Sequence, residues 1–481
     1  MKRYEPLPSS GHVRALQLAQ QRDPPGTSHA VLDQCLRSQS KRNTPCFGQT
    51  WWRLCPHLFL GTADASPTTI STDLTPSPPI YLPPPPPGAP RSLIQTRMEA
   101  VEGIVIVGAG LAGLAAAVGL HRYRSAFQHL NGSSDTLRAA GFALSTWTNA
   151  WRALDALGVG DTLRKQHVRL EAGDDELRCV RRNLLVEALA KELPQGTIRY
   201  SSKVVSMEDA GGLKLLHLAD GSTLRAKVLI GCDGINSAVA KWLGLKEPTL
   251  SGRCAARGFA MFEEGHGFKP VFTQYFGRGC RAGLLPCDDN NMYWFVTWAA
   301  GANEMKKDAV EVKEFVLRKL KSAKIPQEVV QVVERSELSS VASAHLRYRS
   351  PFDLLWGDVS RGNVCVTGDA FHPMTPDIGQ GGCSALEDGV VLAKCLGEAL
   401  IRGREGGGGE EDQGSSRVEA ALKKYADARR WRSFELVATA YVMGVIQQGG
   451  NWATRLLRDQ LLPGAMANKY TRLADFDCGK L

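Results

Sequence analysis

Residues 103–120 read GIVIVGAGLAGLAAAVGL, a stretch of 18 residues without a charged side chain. Its length alone would suit a borderline membrane span, but its internal pattern indicates another structure. Residues 104–107 are a short, mostly β-branched run, as a strand buried in a parallel sheet requires. Gly108, Gly110 and Gly113 then form a G-x-G-x-x-G turn, and an alanine-rich segment typical of a helix follows. The stretch therefore predicts a strand, a glycine turn and a helix.

The three glycines of this turn have separate physical roles in a dinucleotide-binding site. The first allows the tight turn, the second lets the backbone approach a pyrophosphate, and the third lets the helix pack against the strand. The N-terminus of the helix then faces the anion. We predict that Gly108, Gly110 and Gly113 bind a dinucleotide, and a membrane-spanning or core helix remains the alternative.

The segment after this helix lacks the acidic residue that usually completes such a site. An Asp or Glu is expected at the end of the second strand, about 20 residues on, where it binds ribose hydroxyls. Residues 123–138 read YRSAFQHLNGSSDTLR, without a clean apolar strand, and Asp135 is the only acid nearby. Either Asp135 is a poor substitute or the second strand is altered.

Two later strands also end in motifs that contain Asp and Gly. Residues 214–218 and 223–228 flank a turn-forming ADGS segment and predict a hairpin. The chain then runs into VLIGCDGINS, residues 228–237, where Asp233 and Gly234 follow an apolar strand. Taken alone, an Asp-Gly pair in this position most often marks a turn.

The third motif lies in residues 363–382, which read NVCVTGDAFHPMTPDIGQGG. A predicted strand at 364–367 places Asp369 at its carboxyl end, where a carboxylate can accept bonds from ribitol or ribose hydroxyls. Gly379, Gly381 and Gly382 leave backbone N–H groups free to face an anion or a ring edge at a helix N-terminus. His372 could serve as a general base, but it can equally pack the loop.

Residues 253–300 are rich in Phe, Tyr and Trp with β-like alternation, which predicts an antiparallel sheet. These aromatic side chains form either an ordinary core or the floor of an apolar substrate pocket.

The net charge of +9 is unevenly distributed along the 481 residues. Residues 1–97 carry 10 Lys and Arg against 5 Asp and Glu, together with 16 of the 25 prolines, whereas the remaining 384 residues are nearly balanced at +4. Because proline removes backbone donors and fixes φ, we predict a disordered Pro/Ser-rich extension over 1–97. The excess charge lies outside the patterned part of the chain, so nucleic acid is not expected as a partner.

The extension has two interpretations. Its acid-poor, Ser-rich and basic composition is typical of an organelle transit peptide, although its length and proline density are not. Alternatively it has no folded role and translation starts at Met98. The sequence therefore leaves a cytoplasmic and a plastid location open. No metal site is predicted, because no C-x-x-C pair occurs.

Three further strings extend the pattern: LRAAGFALSTWTNAWRALDALGV at 137–159, CDGINSAVAKWLGL at 232–245 and GDAFHPMTPDIGQGGCSALEDGVVLAKCL at 368–396. With the glycine turn and in this order, they resemble the class A FAD-dependent, aromatic-hydroxylase-like monooxygenases. The likeness is strongest to the plant group related to zeaxanthin epoxidase and salicylate hydroxylase.

The resemblance implies an α/β fold with an FAD/NAD(P)-binding Rossmann-like three-layer domain, a β-sheet substrate domain and C-terminal helices. We expect the FAD-binding domain at 98–250 and 351–400, the substrate domain at 251–350, a flexible loop at 401–417 and the C-terminal helices at 418–481. The uncharged residues 436–454 contain Gln, Gly and Asn, so a packed helix and turn are expected there rather than an integral membrane span. Peripheral membrane contact stays open.

The resemblance also implies roles for individual residues. The matching positions are Gly108, Gly110 and Gly113 for the FAD pyrophosphate, Arg138 and Arg182 for contacts with FAD, Asp233 and Gly234 for FAD and NAD(P)H, Asp369 for the ribityl chain, and Pro376, Gly379, Gln380 and Gly381 for the isoalloxazine ring. Two positions depart from the family. Its acid after the second strand would fall near Gly132, and its basic residue after the Asp-Gly pair would fall at Ala240, beside Lys241.

The implied reaction uses NAD(P)H and O₂ to hydroxylate or epoxidise an apolar aromatic or isoprenoid small molecule through a flavin C4a-hydroperoxide. The cofactor performs the difficult chemistry while the protein orients it and excludes water, so no catalytic side chain is assigned. Two alternatives remain: a catalytically impaired FAD-binding homologue with a disrupted second strand, and an FAD-dependent reductase on the same scaffold.

Overall fold

The computed structural model describes residues 14–17, 101–123, 127–137, 142–277, 279–301, 308–405, 411–448, 469 and 471–481. The expected extension at 1–97 therefore lies outside the described residues except for 14–17. Arg138 also lies outside them.

Seventeen strands and ten α-helices occur in the described part of the chain. The strands are β1 (Arg14–Gln17), β2 (Val101–Val107), β3 (Phe127–Asn131), β4 (Ala143–Thr146), β5 (Arg169–Leu170), β6 (Leu177–Arg181), β7 (Ile198–Arg199), β8 (Val204–Ala210), β9 (Leu213–Leu218), β10 (Thr223–Gly231), β11 (Thr249–Met261), β12 (Thr273–Gly277), β13 (Cys280–Pro286), β14 (Asn291–Ala299), β15 (Ala342–Tyr348), β16 (Ser360–Arg361) and β17 (Val364–Val366). The helices are α1 (Leu111–Arg122), α2 (Thr148–Ala156), α3 (Gly160–Arg164), α4 (Arg182–Lys191), α5 (Ala238–Trp242), α6 (Ala309–Ser322), α7 (Gln327–Glu334), α8 (Pro351–Trp356), α9 (Gly381–Glu405) and α10 (Glu411–Gln448).

The larger sheet is the nucleotide-binding type of parallel sheet that the glycine turn predicts. Strands β17, β10, β2, β3 and β7 run parallel in that order, and β16 adds an antiparallel edge. The expected hairpin forms between β9 and β10, with His217 paired to Thr223. All the parallel strands therefore present their carboxyl ends at one edge, where the three motifs of the sequence lie.

Both faces of this sheet are covered. Along β2, Ile104 and Ile106 belong to one apolar core, while Val105 and Val107 belong to a second core on the opposite face. Successive side chains of a strand point to opposite faces, so a strand buried on both sides must be apolar throughout, as β2 is. Helices α1 and α9 pack together in the first core. The arrangement is the expected three-layer α/β domain.

The second strand of this sheet is present. Strand β3 pairs parallel with β2, with one register shift after Ile104, and it ends at Asn131 opposite Val107. The polar residues of this segment therefore do not prevent strand formation, because tertiary pairing overrides a weak local preference.

The smaller six-stranded sheet has the order β1-β12-β13-β14-β11-β15, and all its pairings are antiparallel. Helices α6 and α7 cover one face and enclose a core that contains Trp294 and Trp298. Alternate residues of the same strands, among them Phe259, Tyr293 and Phe295, pack toward the core of the nucleotide-binding domain. This sheet therefore has one face that packs against the core of the larger sheet, and we call it the inner face.

The segment predicted as a flexible loop at 401–417 is helical wherever it is described. Helix α9 continues to Glu405 and α10 begins at Glu411. A packed helix propagates at lower cost than it nucleates, and Arg and Glu favour helix. Only residues 406–410 of the expected loop lie outside the described residues.

Residues Arg14–Gln17 form β1, which pairs antiparallel with β12. The prediction of disorder over all of residues 1–97 is therefore wrong for these four residues. An edge strand such as β12 presents unpaired backbone groups that a short segment without its own pattern can pair with.

No described helix is long and apolar enough to cross a membrane.

Candidate cofactor and substrate site

The first and third glycines of the turn are required by close backbone contacts. Gly108 has φ +112°, and a Cβ there would lie 2.2 Å from the carbonyl oxygen of Cys232, at the end of β10. A Cβ on Gly113 would lie 1.9 Å from the carbonyl oxygen of Gly108. Both positions therefore hold β2, α1 and β10 together, as the sequence pattern implies.

The second glycine has open space around it. Gly110 caps α1 in extended conformation, and a Cβ there would meet no protein atom within 4 Å. The backbone N–H groups of the first turn of α1 have no helical acceptor and carry the positive end of the helix dipole. The surface over Gly110 can therefore accept a phosphate group.

Asp233 and Gly234 follow β10 at the same sheet edge. One Asp233 carboxylate oxygen accepts a hydrogen bond from Ser237 Oγ at 2.5 Å, and the other accepts one from the backbone N–H of Ala238 at 2.7 Å. Burial raises the pKa of Asp233, and these hydrogen bonds act against the rise. Asp233 thus orders the start of α5, which agrees with the turn interpretation of the motif.

Asp369, beside the end of β17, lies close enough to Arg182 for the two charges to interact. Asp369 is exposed, yet the protein around it is dense enough that burial raises its pKa, against the charges of His372 and Arg182. Burial lowers the pKa of the Arg182 guanidinium, Asp369 opposes this, and the charge of Arg257 adds to it. An exposed carboxyl that protein surrounds on most sides lies in a concave site, where it can accept bonds from ligand hydroxyls.

The loop before α9 is fixed to the smaller sheet by a buried ion-pair cluster. Pro376 begins a short 3₁₀ turn, and the next residue, Asp377, accepts two hydrogen bonds from Arg253, at 2.8 and 2.7 Å. Arg281 adds a third at 3.2 Å. Arg253 lies on β11 and Arg281 on β13, so this cluster joins the loop before α9 to the inner face of the smaller sheet.

The second half of the loop is fixed to β4 and α2. Gly379 has φ +63°, and a Cβ there would lie 2.4 Å from Ser145 Oγ. The side-chain oxygen of Gln380 accepts a bond from Asn149 Nδ2 at 2.8 Å, while its Nε2 is buried without a partner among the described residues. Gly381 begins α9, whose first N–H groups lack helical acceptors. The loop thus offers donors but few acceptors.

A buried charge network lies behind this loop and includes His372. Asp388 Oδ2 lies 2.6 Å from His372 Nε2, and Asp388 Oδ1 accepts a bond from Arg429 Nε at 2.6 Å. Glu387 accepts bonds from Arg429 at 2.7 Å and from Arg432 at 2.9 Å. All five side chains are buried, so His372 packs and orders the loop and does not face the cleft as a general base.

The end of β3 shows what replaces the expected acid. Asn131 is 1% exposed, and its side-chain amide has no hydrogen-bond partner within the described ranges. Gly132 contributes no side chain, and Asp135 is exposed. At the second position where the sequence departs from the family, Ala240 is buried in α5 and the neighbouring Lys241 is exposed.

Sequence reasoning missed the polar residues of the inner face. Arg253, Arg281 and Arg257 lie on strands that aromatic alternation predicted, and Asp377 lies inside a recognised motif, but no spacing links them. The pairing of an Asp with two Arg more than 90 residues away emerges only from the fold. Arg257 is exposed and lies opposite Phe295 of β14.

The described part of the chain contains no group of three or more His, Cys, Asp or Glu that could hold a metal ion. None of the nine cysteines in this part of the chain forms a disulfide, and all nine are buried. Burial raises the pKa of Cys383, at the start of α9, to about 12, so this thiol is protonated at neutral pH and is a packing residue.

Comparison with known proteins identifies the family. A family model described as FAD binding domain matches residues 182–419. Monooxygenase 2 of Arabidopsis thaliana is 48% identical over 406 residues, which is 80% of this chain and 99% of that protein. The chain belongs to the FAD-dependent monooxygenases.

Solved structures agree with the fold of this FAD-dependent monooxygenase. Klebsiella pneumoniae HpxO, solved with FAD and uric acid, superposes with a TM-score of 0.64 at 22% identity, over 77% of this chain and 96% of that chain. A salicylate hydroxylase substrate complex superposes with a TM-score of 0.58 at 20% identity, over 78% and 98%. These likenesses show the same mixed α/β architecture, and with the family assignment they confirm the resemblance that the motifs indicated.

FAD is the cofactor of this family, and the residues of the monooxygenase fit it. The space over Gly110 is open enough for a phosphate, the exposed Asp369 carboxyl could accept bonds from hydroxyls, and the buried Gln380 Nε2 has no acceptor among the described residues. Pyrophosphate, ribityl hydroxyls and ring carbonyl or nitrogen atoms are the groups that FAD would offer to these three positions. The donor and acceptor pattern of the cleft therefore matches the cofactor.

Proposed function

We propose that this FAD-dependent monooxygenase uses NAD(P)H and O₂ to hydroxylate or epoxidise an apolar aromatic or isoprenoid small molecule, by the flavin C4a-hydroperoxide route that the resemblance implies. One observation carries the proposal. Strands β2, β10 and β17, each followed by a cofactor motif, are neighbours in the parallel sheet, and Arg253 on the inner face of the smaller sheet binds Asp377 in the loop that follows β17.

The proposal assigns a role to each residue at the cleft. Pyrophosphate binding is assigned to Gly108, Gly110 and Gly113, FAD contact to Arg182, contact with FAD and NAD(P)H to Asp233 and Gly234, ribityl binding to Asp369, and ring contact to Pro376, Gly379, Gln380 and Gly381. The predicted FAD contact of Arg138 remains part of the proposal.

The side chains of this chain orient the cofactor and exclude water. When bound, FAD supplies the hydride acceptor and the ring that activates O₂. The Asp377 cluster and the buried network behind the loop hold the 376–381 segment in place, because each charge in them is paired. Phe259, Tyr293 and Phe295 give the inner face a low-water surface on which an apolar substrate can lie.

The test begins with the purified full-length protein. We expect it to be yellow, to release FAD on denaturation, and to consume NAD(P)H and O₂ together when a substrate is added. Incorporation of one atom of ¹⁸O₂ into the product is the decisive readout.

The other outcomes separate the alternatives. Colourless protein that does not take up FAD contradicts the proposal. Protein that binds FAD but never consumes O₂ or NAD(P)H indicates the impaired homologue, for which the uncharged end of β3 is the motivating observation. Substrate reduction without O₂ uptake indicates a reductase.

A further inference from the structure

Two buried thiols lie against each other at the end of β13. Cys287 follows the last residue of β13, and Cys179 lies on β6, in a small antiparallel sheet that β4, β6 and β5 form. Both residues are fully buried, and the Cys287 thiol donates a hydrogen bond to the Cys179 sulfur, with the two Sγ atoms 3.2 Å apart. A disulfide bond holds its sulfurs at about 2.05 Å, so these two are roughly 1 Å short of bonding distance.

The backbone holds both cysteines in place. Cys179 pairs with Ser145 across β6 and β4. The N–H group of Cys287 donates to the carbonyl oxygen of Asn291 at 2.8 Å, and its carbonyl oxygen accepts a hydrogen bond from the N–H group of Val168 at 3.0 Å. Since backbone hydrogen bonds anchor each residue, the fold itself sets the short distance between the sulfurs. We expect small rotations about the two Cα–Cβ bonds, without rearrangement of the strands, to close it.

Other buried thiols lie against different groups. The Cys254 sulfur is 3.3 Å from His345 Nδ1, and the Cys383 thiol donates to the Ser145 carbonyl oxygen at 3.5 Å. Neither an imidazole nor a carbonyl group forms a bond with sulfur when peroxide oxidises the thiol. A thiol that touches a second thiol has such a partner, because a disulfide can form between them.

We propose that Cys179 and Cys287 form a disulfide bond when a small peroxide oxidises the protein, and that this bond fixes β6 to the end of β13. The thiolate of one residue attacks a peroxide oxygen, so that an S–O bond forms, the O–O bond breaks and water leaves. The sulfur of the other residue then attacks the sulfenic acid, forms the S–S bond and releases a second water. The two thiols lose two electrons, which reduce the peroxide, and their protons end in the water.

Burial determines the rate of this reaction. It raises the pKa of Cys179 well above its usual value, and the hydrogen bond to Cys287 and the charge of Asp288 add to the rise. Because the thiolate is the nucleophile, oxidation is slow at neutral pH and accelerates roughly tenfold per pH unit while the thiols remain protonated. The same burial excludes large, charged oxidants, so a small uncharged molecule such as hydrogen peroxide is the expected reagent.

The bond would connect distant parts of the chain, because the two cysteines are 108 residues apart in the sequence. A cross-link over such a length restricts the unfolded chain and so stabilises the folded one. We therefore expect the oxidised protein to melt roughly 5 °C above the reduced protein. The pair thus provides a stabilising cross-link that forms under oxidising conditions.

The experiment detects the linked peptides by mass spectrometry. Reduced full-length protein is treated with hydrogen peroxide at about pH 7.5 and about pH 8.5, its free thiols are alkylated in denaturant, and it is digested with trypsin without reductant. Trypsin releases Cys179 in peptide 179–181 and Cys287 in peptide 282–306, each without another cysteine. Sulfoxide at Met261, which is 57% exposed, shows that the peroxide has acted. These readouts need neither flavin nor substrate, so the inference goes beyond the proposed function and does not depend on it.

We expect the linked peptides to form in the native protein, at a rate that rises roughly tenfold between the two pH values. Cys179→Ser and Cys287→Ser should each abolish the linked peptides and the rise in melting temperature on oxidation. Cys395→Ser is the matched control and should keep both, because Cys395 is a buried thiol on α9 whose charged neighbours include Lys424 and Glu398. Each variant is compared with its own reduced form, so a lower starting stability does not affect the comparison.

The proposal is overturned if Met261 oxidises and the linked peptides are absent, or if sulfinic acid accumulates at either cysteine instead of the disulfide. Equal melting temperatures of the cross-linked and the reduced protein overturn it as well. In urea, all 12 cysteines of the chain compete, so the yield of this pair should fall well below the native yield. The same yield in urea would show that the fold does not bring the two sulfurs together.

Discussion

At the scale of single residues, the second and third glycines of the turn, Gly110 and Gly113, differ in what surrounds them. Gly113 is required by the protein itself, because a side chain would strike the Gly108 carbonyl group. Gly110 meets no protein atom, so any restriction on it must come from a ligand. A substitution at Gly113 therefore disturbs the fold itself, whereas a substitution at Gly110 tests cofactor binding without disturbing the fold.

This contrast gives the first prediction. Gly110→Ala should retain its unfolding free energy within about 1 kcal/mol, since the backbone there suits any residue, but should lose most of its FAD. Gly113→Ala should lose FAD and also about 1–3 kcal/mol of stability through overpacking. Urea unfolding and flavin content of both variants provide the measurement. FAD retention in Gly110→Ala would contradict the assignment of the pyrophosphate to this turn.

The sequence predicts residues whose role is tied to a local motif. Gly108, Gly113 and Asp369 follow strands that can be recognised from their apolar runs, so their position at the sheet edge follows from the parallel topology. Arg253 and Arg281 could not be found this way, because their contact with Asp377 depends on which face of a second sheet packs against the loop before α9. The fold decides which residues of the two sheets are buried and paired with each other, and the local sequence does not show it.

At the scale of elements, the Asp377 cluster joins the 3₁₀ turn before α9 to β11 and β13. All three charges are buried, and removing one partner of such a cluster leaves the others desolvated and unpaired. Burial alone would raise the pKa of Asp377, but Arg253 and Arg281 outweigh it and hold that pKa below its usual range. The stability of this cluster therefore depends on the position of the loop before α9.

We predict that Asp377→Asn destabilises the protein by about 3–5 kcal/mol, the usual cost of breaking a buried pair, and shifts the visible spectrum of the bound flavin. Asp358→Asn is the matched control. It breaks an exposed pair with Arg361 on the same domain and should cost less than about 1 kcal/mol. Equal stability of the two variants in urea would show that the cluster does not hold the loop.

Helices α9 and α10 are joined by the buried network of Glu387, Asp388, Arg429 and Arg432. Burial would raise the pKa of Glu387, but Arg429 and Arg432 lower it below its usual range. A carboxyl with a depressed pKa stabilises the fold above its unfolded pKa, about 4.3, and this contribution is lost as the pH falls through the folded value.

The third prediction follows from this lowered pKa of Glu387. Glu387→Gln should lower the unfolding free energy by about 3 kcal/mol at pH 7, and the gap from the unaltered protein should narrow as the pH falls below about 4. The difference between the two curves cancels groups such as Asp233, whose raised pKa acts in the opposite sense. Exposed Glu314→Gln should follow the unaltered protein throughout. A gap that stays constant with pH would contradict the ionised state of Glu387.

The sequence shows why this network was not anticipated. Glu387 and Asp388 stand inside the apolar run SALEDGVVLAKCL, and Arg429 and Arg432 are three residues apart on a helix rich in charge. Charged residues within an apolar run, such as those of α9, indicate burial with partners of opposite charge. A charge-rich helix such as α10, in contrast, usually exposes its charges to solvent. Helical periodicity identifies both helices without showing which faces meet.

At the scale of the whole molecule, the residues that we propose to bind FAD follow β2, β10 and β17 or lie on α4 and in the loop before α9. A ligand that binds only the folded chain stabilises it by mass action, by about 2.7 kcal/mol at a concentration 100 times its Kd.

We therefore predict that FAD at that excess raises the melting temperature of flavin-stripped protein by several degrees. Gly110→Ala, whose protein contacts are unchanged, should show a much smaller rise. Calorimetric scans with and without FAD make the comparison, and equal melting temperatures would indicate that the cleft does not bind the cofactor.

The architecture as a whole was largely predictable from the sequence. The strand, glycine turn and helix follow one another along the chain, and the strands of the smaller sheet show an alternation of aromatic and other residues. The sequence did not predict that β1 joins the smaller sheet or that α10 extends over 38 residues without a break. Both depend on an available partner surface, an exposed sheet edge for β1 and the packed α9 for α10.

The strand order of the parallel sheet also sets a sequence of events during synthesis. Strand β10 ends at Gly231 and its neighbour β17 begins at Val364, and five of the six strands of the smaller sheet lie between them in the sequence. The ribosome must therefore deliver the smaller sheet before the strand that carries Asp369 can join the larger one. The emerging chain exposes an unfinished parallel edge during that interval, and its affinity for flavin would arise only when synthesis is almost complete.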